Sequence, residues 1–423
     1  MKQFVIIGNS AAGVSCVEAI RLRDKESKII VISDEDYNSY CRCLISYFLA
    51  GDVKEEKILL RPESFYKENN IDLNLNKRVT RVDPKKSRVV LDDKTQIGYD
   101  ALLIATGAHP KMPEIPGIKK RGVFSFRTIK DALDISGLLI TAKNTCVLGG
   151  GLVGLKAAYA LHKRKSEVKV IVRSKQILSQ IIDSEAAAIV QKRLEANGIE
   201  VILGEGVTEI IGNGDIRAVK LGSGKAIGTS LVVVGKGVAP NIELIKNSEI
   251  KFNTGIIASE LLQSNIPNIY AAGDVCESFD LALDKYAVNA IWPAAVGQGK
   301  IAGANMAGES IRYPGSMGMN SLEFFGLPVV SLGVYKLKED QRADYEVLKF
   351  SDPKNNTYRK VIIKKNVVVG AILIGGIVNS GVITRLIREK INVAPLRHRL
   401  LEENFGYPDI IDYVSEDITY ASH

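Results

Sequence analysis

The sequence predicts an α/β fold in which one parallel-sheet unit is used twice. Short apolar segments that suit buried parallel strands alternate with helical segments, and two of these strands run into glycine-rich turns. Residues 69–107 and 197–237 also resemble each other, because each region carries a short hairpin and ends in an apolar strand that runs into glycine. A general alternation of strands and helices does not predict matching hairpins and matching terminal glycines. The sequence therefore indicates two copies of one fold.

The first glycine-rich turn follows the apolar residues 4–7. The chain passes through GNSAAG (8–13) into a helical segment and a second apolar strand, after which two acidic residues appear. This is the order of a dinucleotide-binding βαβ unit, in which the helix start binds pyrophosphate and a carboxylate binds a ribose hydroxyl. A strand–turn–helix without a ligand is the alternative, since Ser10 replaces the middle glycine. The predicted binding residues are Gly8, Ser10, Ala11, Ala12, Gly13, Asp34 and Glu35.

The second turn, GGGLVG at residues 149–154, carries the complete GxGxxG pattern. It follows the apolar residues 145–148 and precedes a helical segment and another strand. Two such motifs in one chain are much more specific than either alone, and they predict two dinucleotide sites. The residues predicted to bind at the second site are Gly149, Gly151, Leu152, Val153 and Gly154.

Composition limits the classes of function. The chain has 423 residues, enough for two or three domains, and 46% hydrophobic residues. Its net charge of +8 is not concentrated in long runs, which predicts mild attraction for acidic partners and no nucleic-acid binding. Five cysteines do not suggest a secreted disulfide framework, and no zinc or iron–sulfur pattern occurs, so no metal is predicted. With a strand at the N-terminus and glycines interrupting the apolar residues 367–384, we expect a cytoplasmic protein without a membrane span.

Two further motifs, ATG (105–107) and YAAGDV (270–275), complete an ordered set with GNSAAG and GGGLVG. With this set the chain resembles the FAD-dependent pyridine nucleotide–disulfide oxidoreductases from residue 1 to about residue 390. It is most similar to the branch of rubredoxin reductases, nitrite reductase flavin domains, NADH oxidases and coenzyme A-disulfide reductases. The resemblance implies FAD and NAD(P)H as cofactors. It also implies two Rossmann-like domains, for FAD (1–113 and 241–312) and NAD(P) (114–240), and a C-terminal α+β interface domain (313–423), often a dimer contact.

The same resemblance implies further cofactor-binding residues. Asp274 closes the FAD site with its carboxylate on the ribityl chain, and a helix beginning near Trp292 points its N-terminus at the flavin pyrimidine. Reduced flavin is anionic there, and a helix N-terminus stabilises negative charge. At the NAD(P) site the usual acid near Val172 is absent and Arg173 follows, which favours NADPH, with a solvated arginine as the alternative. The residues implied are Arg42, Ala105, Thr106, Gly107, Arg173, Gly237, Gly273, Asp274, Pro293 and Ala294.

Residues 39–51, SYCRCLISYFLAG, fit two branches of the family. The spacing of Ser39 and Cys43 is that of NADH oxidases and coenzyme A-disulfide reductases, where one cysteine beside the flavin is the redox centre. Tyr40, Arg42 and the LAG at 49–51 resemble instead the nitrite and rubredoxin reductase branch, which needs no cysteine. We expect a Cys43 thiol beside Arg42 and the flavin to be held partly as thiolate; a packing role is the alternative. A disulfide between Cys41 and Cys43 would be strained and is not expected at rest.

The sequence thus predicts an FAD-dependent NAD(P)H:acceptor oxidoreductase with Cys43 and Arg42 as candidate catalytic residues. Direct transfer from flavin to an acidic rubredoxin- or ferredoxin-like carrier is slightly favoured, because Tyr40, Arg42 and residues 49–51 match that branch at more positions. A thiol, persulfide or coenzyme A-disulfide reductase, or an NADH oxidase, using Cys43 is the main alternative. A flavin subunit of a larger complex and a non-catalytic nucleotide sensor are the others. A homodimer is an expected assembly.

Overall fold

The structure is a computed structural model that describes residues 1–337 and 339–414. Strands and helices alternate around each glycine-rich motif, in the orders β1-α1-β2 and β10-α5-β11, as the sequence predicts. The strands are β1 (Gln3–Ile7), β2 (Lys28–Ile32), β3 (Ile71–Asn74), β4 (Val79–Asp83), β5 (Arg88–Leu91), β6 (Gln96–Gly98), β7 (Ala101–Ile104), β8 (Ala108–Pro110), β9 (Val123–Ser125), β10 (Asn144–Leu148), β11 (Glu167–Val172), β12 (Ile199–Leu203), β13 (Val207–Ile211), β14 (Ala218–Leu221), β15 (Ala226–Gly228), β16 (Leu231–Val234), β17 (Val238–Pro240), β18 (Ile256–Ile257), β19 (Ile269–Ala271), β20 (Cys276–Asp280), β21 (Lys285–Ala287), β22 (Met319–Phe324), β23 (Leu327–Gly333), β24 (Tyr345–Asp352), β25 (Thr357–Lys364) and β26 (Val367–Ile374). The α-helices are α1 (Ala11–Arg23), α2 (Ile45–Ala50), α3 (Ser64–Glu68), α4 (Ile129–Leu138), α5 (Leu152–Lys163), α6 (Ser184–Ala196), α7 (Trp292–Met306) and α8 (Ser380–Arg388).

The first sheet has the strand order β19-β7-β1-β2-β3, and the pairs β1–β2, β1–β7, β7–β19 and β2–β3 are all parallel. Helices α1 and α7 pack closely together. A Cβ placed on Gly299 would lie 2.2 Å from the Ala12 carbonyl oxygen, and one on Gly303 would lie 2.4 Å from that of Cys16. Only glycine permits this approach of the two backbones, so the glycines of α7 fix its position beside the start of α1.

The second sheet has the order β12-β11-β10-β16-β9. Leu148 at the end of β10 pairs in parallel with Ile171 of β11 and with Val234 at the end of β16. The carboxyl ends of these three strands therefore meet at one edge. The loops that follow them, which carry the second glycine motif, Arg173 and Lys236, leave the sheet at that edge.

The predicted internal repeat is confirmed at the level of hydrogen bonds. Strands β4-β5-β6 and β13-β14-β15 form matching antiparallel sheets, and each first strand carries a bulge at the same place. In each bulge a threonine hydroxyl donates to two carbonyls of the neighbouring strand: Thr80 to Val90 and Leu91, and Thr208 to Lys220 and Leu221. The matching bulges and the matching threonine hydrogen bonds indicate that the two regions have the same local fold.

The chain divides into two compact units. The first comprises Met1–Arg173, Ile202–Asp280 and Lys285–Ser316, and it holds both glycine-rich loops. The second comprises Ser174–Val201, Leu281–Asp284 and the described residues from Met317 onward. Its antiparallel sheet has the order β22-β23-β26-β25-β24, and Asp183 before α6 accepts hydrogen bonds from Tyr358 and Lys360.

The domain boundaries expected near residues 113, 240 and 312 stay a prediction. The end of the expected C-terminal domain, residues 415–423, lies outside the described residues. Within the described part of the chain, no helix is both long enough and apolar enough to cross a bilayer.

Candidate active site

The first glycine-rich loop depends on its glycines. Gly8 has φ +117°, and a Cβ there would lie 2.1 Å from the Ala105 carbonyl oxygen. A Cβ on Gly13 would lie 1.9 Å from the carbonyl oxygen of Gly8. Ser10 caps α1 through its backbone alone, without a side-chain capping bond, and the first turn of α1 carries no acid. The helix start thus keeps free N–H groups for an anion.

A buried amide at the same loop strengthens this fit. The Asn9 side chain accepts a hydrogen bond from the Tyr66 hydroxyl (3.0 Å), but its Nδ2 is buried without a hydrogen-bond partner in the described chain. A buried donor without a partner is costly unless a ligand satisfies it. The loop therefore fits the pyrophosphate of a dinucleotide such as FAD.

Glu35 lies after β2, where a ribose-binding acid is expected, and it belongs to a network. Its carboxylate forms an ion pair with Arg42 and accepts a hydrogen bond from the Tyr40 hydroxyl (2.5 Å). The same hydroxyl accepts from Arg42 (3.1 Å) and from the backbone N–H of Ile129 (3.2 Å). Burial raises the pKa of Tyr40, so the phenol remains a donor to Glu35. Asp34, the other predicted acid, is exposed.

Asp274 lies in the short 3-10 helix Gly273–Val275, and its Oδ2 accepts from Arg127 at 2.6 Å. The Arg127 Nε is also buried without a hydrogen-bond partner among the residues described. The N–H of Gly273, at φ +79°, donates to the buried side chain of Gln298 (2.7 Å). Because Gln298 belongs to α7, the turn with Asp274 is fixed to that helix. Helix α7 begins at Trp292, with Pro293 in its first turn and Ala294 buried.

The two thiols of the CRC sequence lie at the first turn of the 3-10 helix Arg42–Leu44. Cys43 is exposed and Cys41 is partly buried. Hydrogen bonds to Cys41 from the Cys43 thiol and from the N–H groups of Cys43 and Leu44 lower the pKa of Cys41 to about 6, against an opposing effect of burial. The same thiol contact, then burial and nearby Asp274, raise the pKa of Cys43, and Arg127 acts in the opposite direction. Cys41 is therefore the more acidic of the two thiols.

Arg42 differs from its expected role beside Cys43. Its guanidinium is held by Glu35 and Tyr40 and also donates to the Arg127 carbonyl (3.2 Å). The cation that acts on Cys43 is Arg127, and Cys41 is the thiol whose pKa is lowered. The remaining cysteines, Cys16, Cys146 and Cys276, are buried, and burial raises the pKa of Cys276 to about 12.

In the second glycine-rich loop, two glycines are required by close backbone contacts and one faces open space. Gly149 has φ +122°, and a Cβ there would lie 2.4 Å from the Gly235 carbonyl oxygen, while one on Gly154 would lie 2.1 Å from that of Gly149. A Cβ on Gly151 would meet no described atom within 4 Å. Leu152 and Val153 begin α5, whose first turn has no acid. The loop thus presents a helix start with open space before it, as a nucleotide pyrophosphate requires.

Two cations follow the strand ends beside this loop. Arg173 follows β11, and Lys236 follows β16, one residue before Gly237 at φ +86°. Desolvation and, secondarily, the nearby Arg173 lower the pKa of Lys236. Neither side chain forms an ion pair or hydrogen bond with a described residue. Two unpaired neighbouring cations suit a phosphate group.

The ATG segment, residues 105–107, contacts both the first glycine-rich loop and the chain at Asn241. The Ala105 carbonyl oxygen lies close to Gly8, and the Thr106 hydroxyl donates to the Asn241 carbonyl (2.9 Å). The Asn241 amide returns a hydrogen bond to the Thr106 carbonyl (2.7 Å), and β8 pairs with β17. Gly107, at φ +66°, faces Arg127, whose guanidinium lies 3.9 Å from the position of a Cβ. Among the described residues, no group of three or more His, Cys, Asp or Glu could hold a metal.

Several residues of the candidate site were not found from the sequence: Asn9, Cys41 as the more acidic thiol, Arg127, Lys236 and Gln298. For Arg127 a local signal exists, because Thr128 and Asp131 form a capping box that starts α4 directly after it. The Asp131 carboxylate also accepts from the Arg127 N–H at 2.7 Å. A capping box after a strand end therefore places Arg127 at a sheet edge, although not beside Asp274.

The chain is similar to several characterised proteins. It is 34% identical to the nitrite reductase [NAD(P)H] of Bacillus subtilis over 88% of this chain and 46% of the relative, so it spans about half the length of that protein. It is 37% identical to an NADH oxidase of Methanocaldococcus jannaschii over 73% of this chain and 71% of the relative. It is 28% identical to subunit epsilon of an NADH-dependent phenylglyoxylate dehydrogenase of Aromatoleum evansii, over 94% of each.

Among solved structures, an NAD-dependent persulfide reductase from A. fulgidus superposes with a TM-score of 0.87 and 27% identity, over 95% of this chain and 79% of that one. Residues 319–391 match the rubredoxin NAD+ reductase C-terminal domain. Residues 2–299 match the pyridine nucleotide-disulphide oxidoreductase family. FAD and NAD(P)H are the cofactors of this class, and the two loops fit them. By the match over residues 2–299, more than half of its length, the chain belongs to the pyridine nucleotide-disulphide oxidoreductase family.

Proposed function

We propose that the chain is an FAD-dependent NAD(P)H oxidoreductase that reduces a disulfide or persulfide acceptor through Cys43. The observation that supports this acceptor is Cys43 itself: its thiol is free and exposed, and the charges of Asp274 and Arg127 act on it. The sequence slightly favoured direct transfer to a carrier protein. The geometry changes this preference, because a packing cysteine needs neither exposure nor a charged neighbour.

The two loops divide the cofactors between them. Bound FAD supplies the chemistry that links two-electron oxidation of a nicotinamide to reduction of an acceptor. In this proposal the start of α1 binds the FAD pyrophosphate, Asn9 donates to it, and Glu35 binds a ribose hydroxyl while Tyr40 and Arg42 hold its carboxylate in place. Asp274, fixed by Gln298 and Arg127, binds the ribityl chain, and the start of α7 stabilises the flavin pyrimidine.

At the second loop the residues favour NADPH over NADH. The start of α5 binds the nucleotide pyrophosphate across the open side of Gly151. Arg173 and Lys236 bind the 2′-phosphate, which would place a negative group between two cations that otherwise repel each other. The absence of an acid after β11 removes the group that would repel this phosphate.

The acceptor is tested with purified protein supplied with FAD. NADPH oxidation should proceed with a small disulfide or a persulfide, and Cys43→Ser should abolish it. Reduction of ferricyanide by NADPH should continue in the same variant, because it requires nucleotide and FAD but no thiol. Retained disulfide or persulfide reduction in Cys43→Ser would refute the thiol route, and a protein that takes up no FAD would refute the whole assignment.

A carrier protein is the second candidate acceptor. Two observations favour it: the match of residues 319–391 to a rubredoxin NAD+ reductase domain, and the net charge of +8, which suits an acidic rubredoxin- or ferredoxin-like partner. In this case Cys43→Ser should reduce the carrier at the wild-type rate, and the rate should fall steeply with added salt. A larger complex is a related candidate, since one relative over 94% of each chain is named a dehydrogenase subunit. Light scattering tests the expected homodimer.

A further inference from the structure

A cavity of about 600 Å³ lies within the second compact unit, between residues 176–184 and one face of the antiparallel sheet. Tyr345 and Val347 of β24 lie on this face. Lys360 of β25 shares it, because Ile362, two positions further along β25, pairs with Val347, and side chains two residues apart point to the same side. The described residues that line the cavity include none that is assigned to FAD or to the nucleotide. The volume is that of a site for a small organic molecule.

Hydrogen-bonded ion pairs hold the two walls of the cavity together. Asp183, which caps α6, accepts from the Lys360 amine (2.8 Å) and the Tyr358 hydroxyl (2.7 Å) of β25. In the first turn of α6, Glu185 forms an ion pair with Lys349 of β24 (2.7 Å). These contacts connect the start of α6 to both strands of the sheet face. The cavity is therefore preformed, and a ligand need not order its walls.

Positive charge is in excess in the cavity lining. Three cations, Lys336, Arg342 and Lys360, face one acid, Asp183, so the lining has two more positive than negative charges. Lys336 and Arg342 are exposed and form no ion pair or hydrogen bond with another described residue. An ammonium group has three N–H donors. Lys360, whose side chain is 13% exposed, gives one to Asp183 and one to the Tyr335 carbonyl (3.2 Å), so it keeps one for a ligand.

Apolar side chains form the rest of the lining. Ile182 is buried, Leu337 is half-buried, and Val347 is 44% exposed although it lines the cavity. The half-buried ring of Tyr345 adds an aromatic surface. Apolar surface next to unpaired cations suits a molecule that combines an anionic group with an apolar body. An inorganic anion alone is too small to use both parts of a cavity of about 600 Å³.

We propose that this cavity binds a small organic phosphate monoester. Its phosphate pairs with Lys336, Arg342 and the remaining N–H of Lys360, and its apolar body lies against Ile182 and Val347. A phosphate monoester carries close to two negative charges at neutral pH, which matches the excess of two cations, whereas a carboxylate carries one. The planar guanidinium of Arg342 can also donate two hydrogen bonds to one phosphate. The site is independent of the acceptor and of the function proposed above.

The test is isothermal titration of the FAD-loaded full chain with phenyl phosphate, with NADP+ present to occupy the nucleotide site. Wild type should bind one phenyl phosphate per chain. Inorganic phosphate, which lacks the apolar body, and benzoate, which carries a single charge, should each bind much more weakly. Arg342→Ala and Lys336→Ala should each weaken the binding of phenyl phosphate roughly 10-fold or more, because each removes a charged partner of the phosphate. Lys354→Ala, an exposed lysine between β24 and β25 that does not line the cavity, is the matched control and should bind as wild type does.

Thermal unfolding gives a second measurement that does not depend on titration heats. Phenyl phosphate should raise the unfolding temperature of wild type and of Lys354→Ala, because it binds only the folded chain, and should raise that of Arg342→Ala much less. No binding to wild type, or wild-type affinity in both Lys336→Ala and Arg342→Ala, would overturn the site. Benzoate binding as tightly as phenyl phosphate would contradict the assignment of a dianion, and equal binding of inorganic phosphate would contradict the apolar contact. A chain that binds phenyl phosphate but reduces no disulfide would retain this site and lose only the proposed acceptor.

Discussion

The sharpest prediction concerns Gly151, because the structure separates its binding role from a folding role. A Cβ at Gly151 meets no described atom within 4 Å, and its φ of −80° and ψ of 178° are open to any residue. Gly151→Ala at this helix cap should cost about 0.5–1 kcal/mol of helix stability. A gain of about 0.4–1 kcal/mol from the less flexible unfolded chain offsets this cost. The variant should therefore unfold within about 1 kcal/mol of wild type.

Nucleotide binding should respond much more strongly. The added methyl group lies on the open side of the α5 start, where the proposed pyrophosphate accepts hydrogen bonds from N–H groups. Loss of one hydrogen bond to a charged group costs about 1.5–3 kcal/mol. At 1.4 kcal/mol for each factor of ten, NADPH should bind roughly 10- to 100-fold more weakly. Isothermal titration of the FAD-loaded protein measures this affinity, and the flavin absorbance of the same sample measures FAD content.

The control is Gly149→Ala in the same loop. Its φ of +122° and a Cβ 2.4 Å from the Gly235 oxygen predict a clear loss of unfolding free energy, about 1–3 kcal/mol, in addition to any effect on nucleotide. Normal nucleotide affinity in Gly151→Ala would refute the assignment of this loop. Loss of FAD with unchanged nucleotide affinity would show that the two cofactor loops have been assigned the wrong way round.

Three further predictions follow from other parts of the site. Arg173→Ala and Lys236→Ala should each raise the Michaelis constant for NADPH and leave that for NADH little changed. Lys225→Ala, in an exposed hairpin, is the control. Equal effects on the two Michaelis constants would contradict the assignment of these residues to the 2′-phosphate. Gly303→Ala should lower the free energy of unfolding by about 1–3 kcal/mol in urea titrations, since its Cβ would lie 2.4 Å from the Cys16 oxygen, whereas Gly297→Ala, with its nearest contact at 3.8 Å, should cost much less. Alkylation of Cys41 by iodoacetamide, followed by peptide mass spectrometry, should stay fast as pH falls and slow only through about pH 6, because the lowered pKa keeps the thiolate. Cys43→Ala should raise the pH midpoint of Cys41 alkylation, because it removes the principal hydrogen-bond donor to Cys41 and leaves Arg127 and Asp274 in place. An unchanged midpoint would contradict a hydrogen bond between the two thiols.

The sequence predicted those features that depend on local patterns. Strand–glycine–helix order located both loops, because the tight turns at Gly8 and Gly149 require glycine wherever they occur. The internal repeat could be predicted because each copy forms the same hairpin. The match includes the bulge, where Thr80 and Thr208 form equivalent hydrogen bonds. Contacts between distant segments were not readable. Arg127 and Asp274 lie far apart in the sequence, and only the approach of their two loops brings the guanidinium to the carboxylate.

The electrostatic partners of individual residues could not be predicted from the sequence either. Arg42 lies next to Cys43 in the chain, and proximity in sequence suggested a pair. In a turn, however, neighbouring side chains point in different directions, and Arg42 follows Tyr40 toward Glu35 while Cys43 turns outward. Lys236 carried no signal because a lysine between two glycines is ordinary on a surface. Its position near the second glycine-rich loop becomes known only from the parallel pairing that places the end of β16 beside the end of β10.

The same geometry resolves why residues 39–51 fit two branches of the family at once. Tyr40 and Arg42 are directed inward and hold Glu35, which serves the cofactor site whatever the acceptor. Neither Cys41 nor Cys43 belongs to this network with Glu35, and Cys43 is exposed. The residues of the two patterns therefore have different partners in one turn and do not compete. It follows that a match at Tyr40 and Arg42 does not indicate the acceptor, whereas Cys43 bears directly on the thiol route and the Cys43→Ser variant tests it.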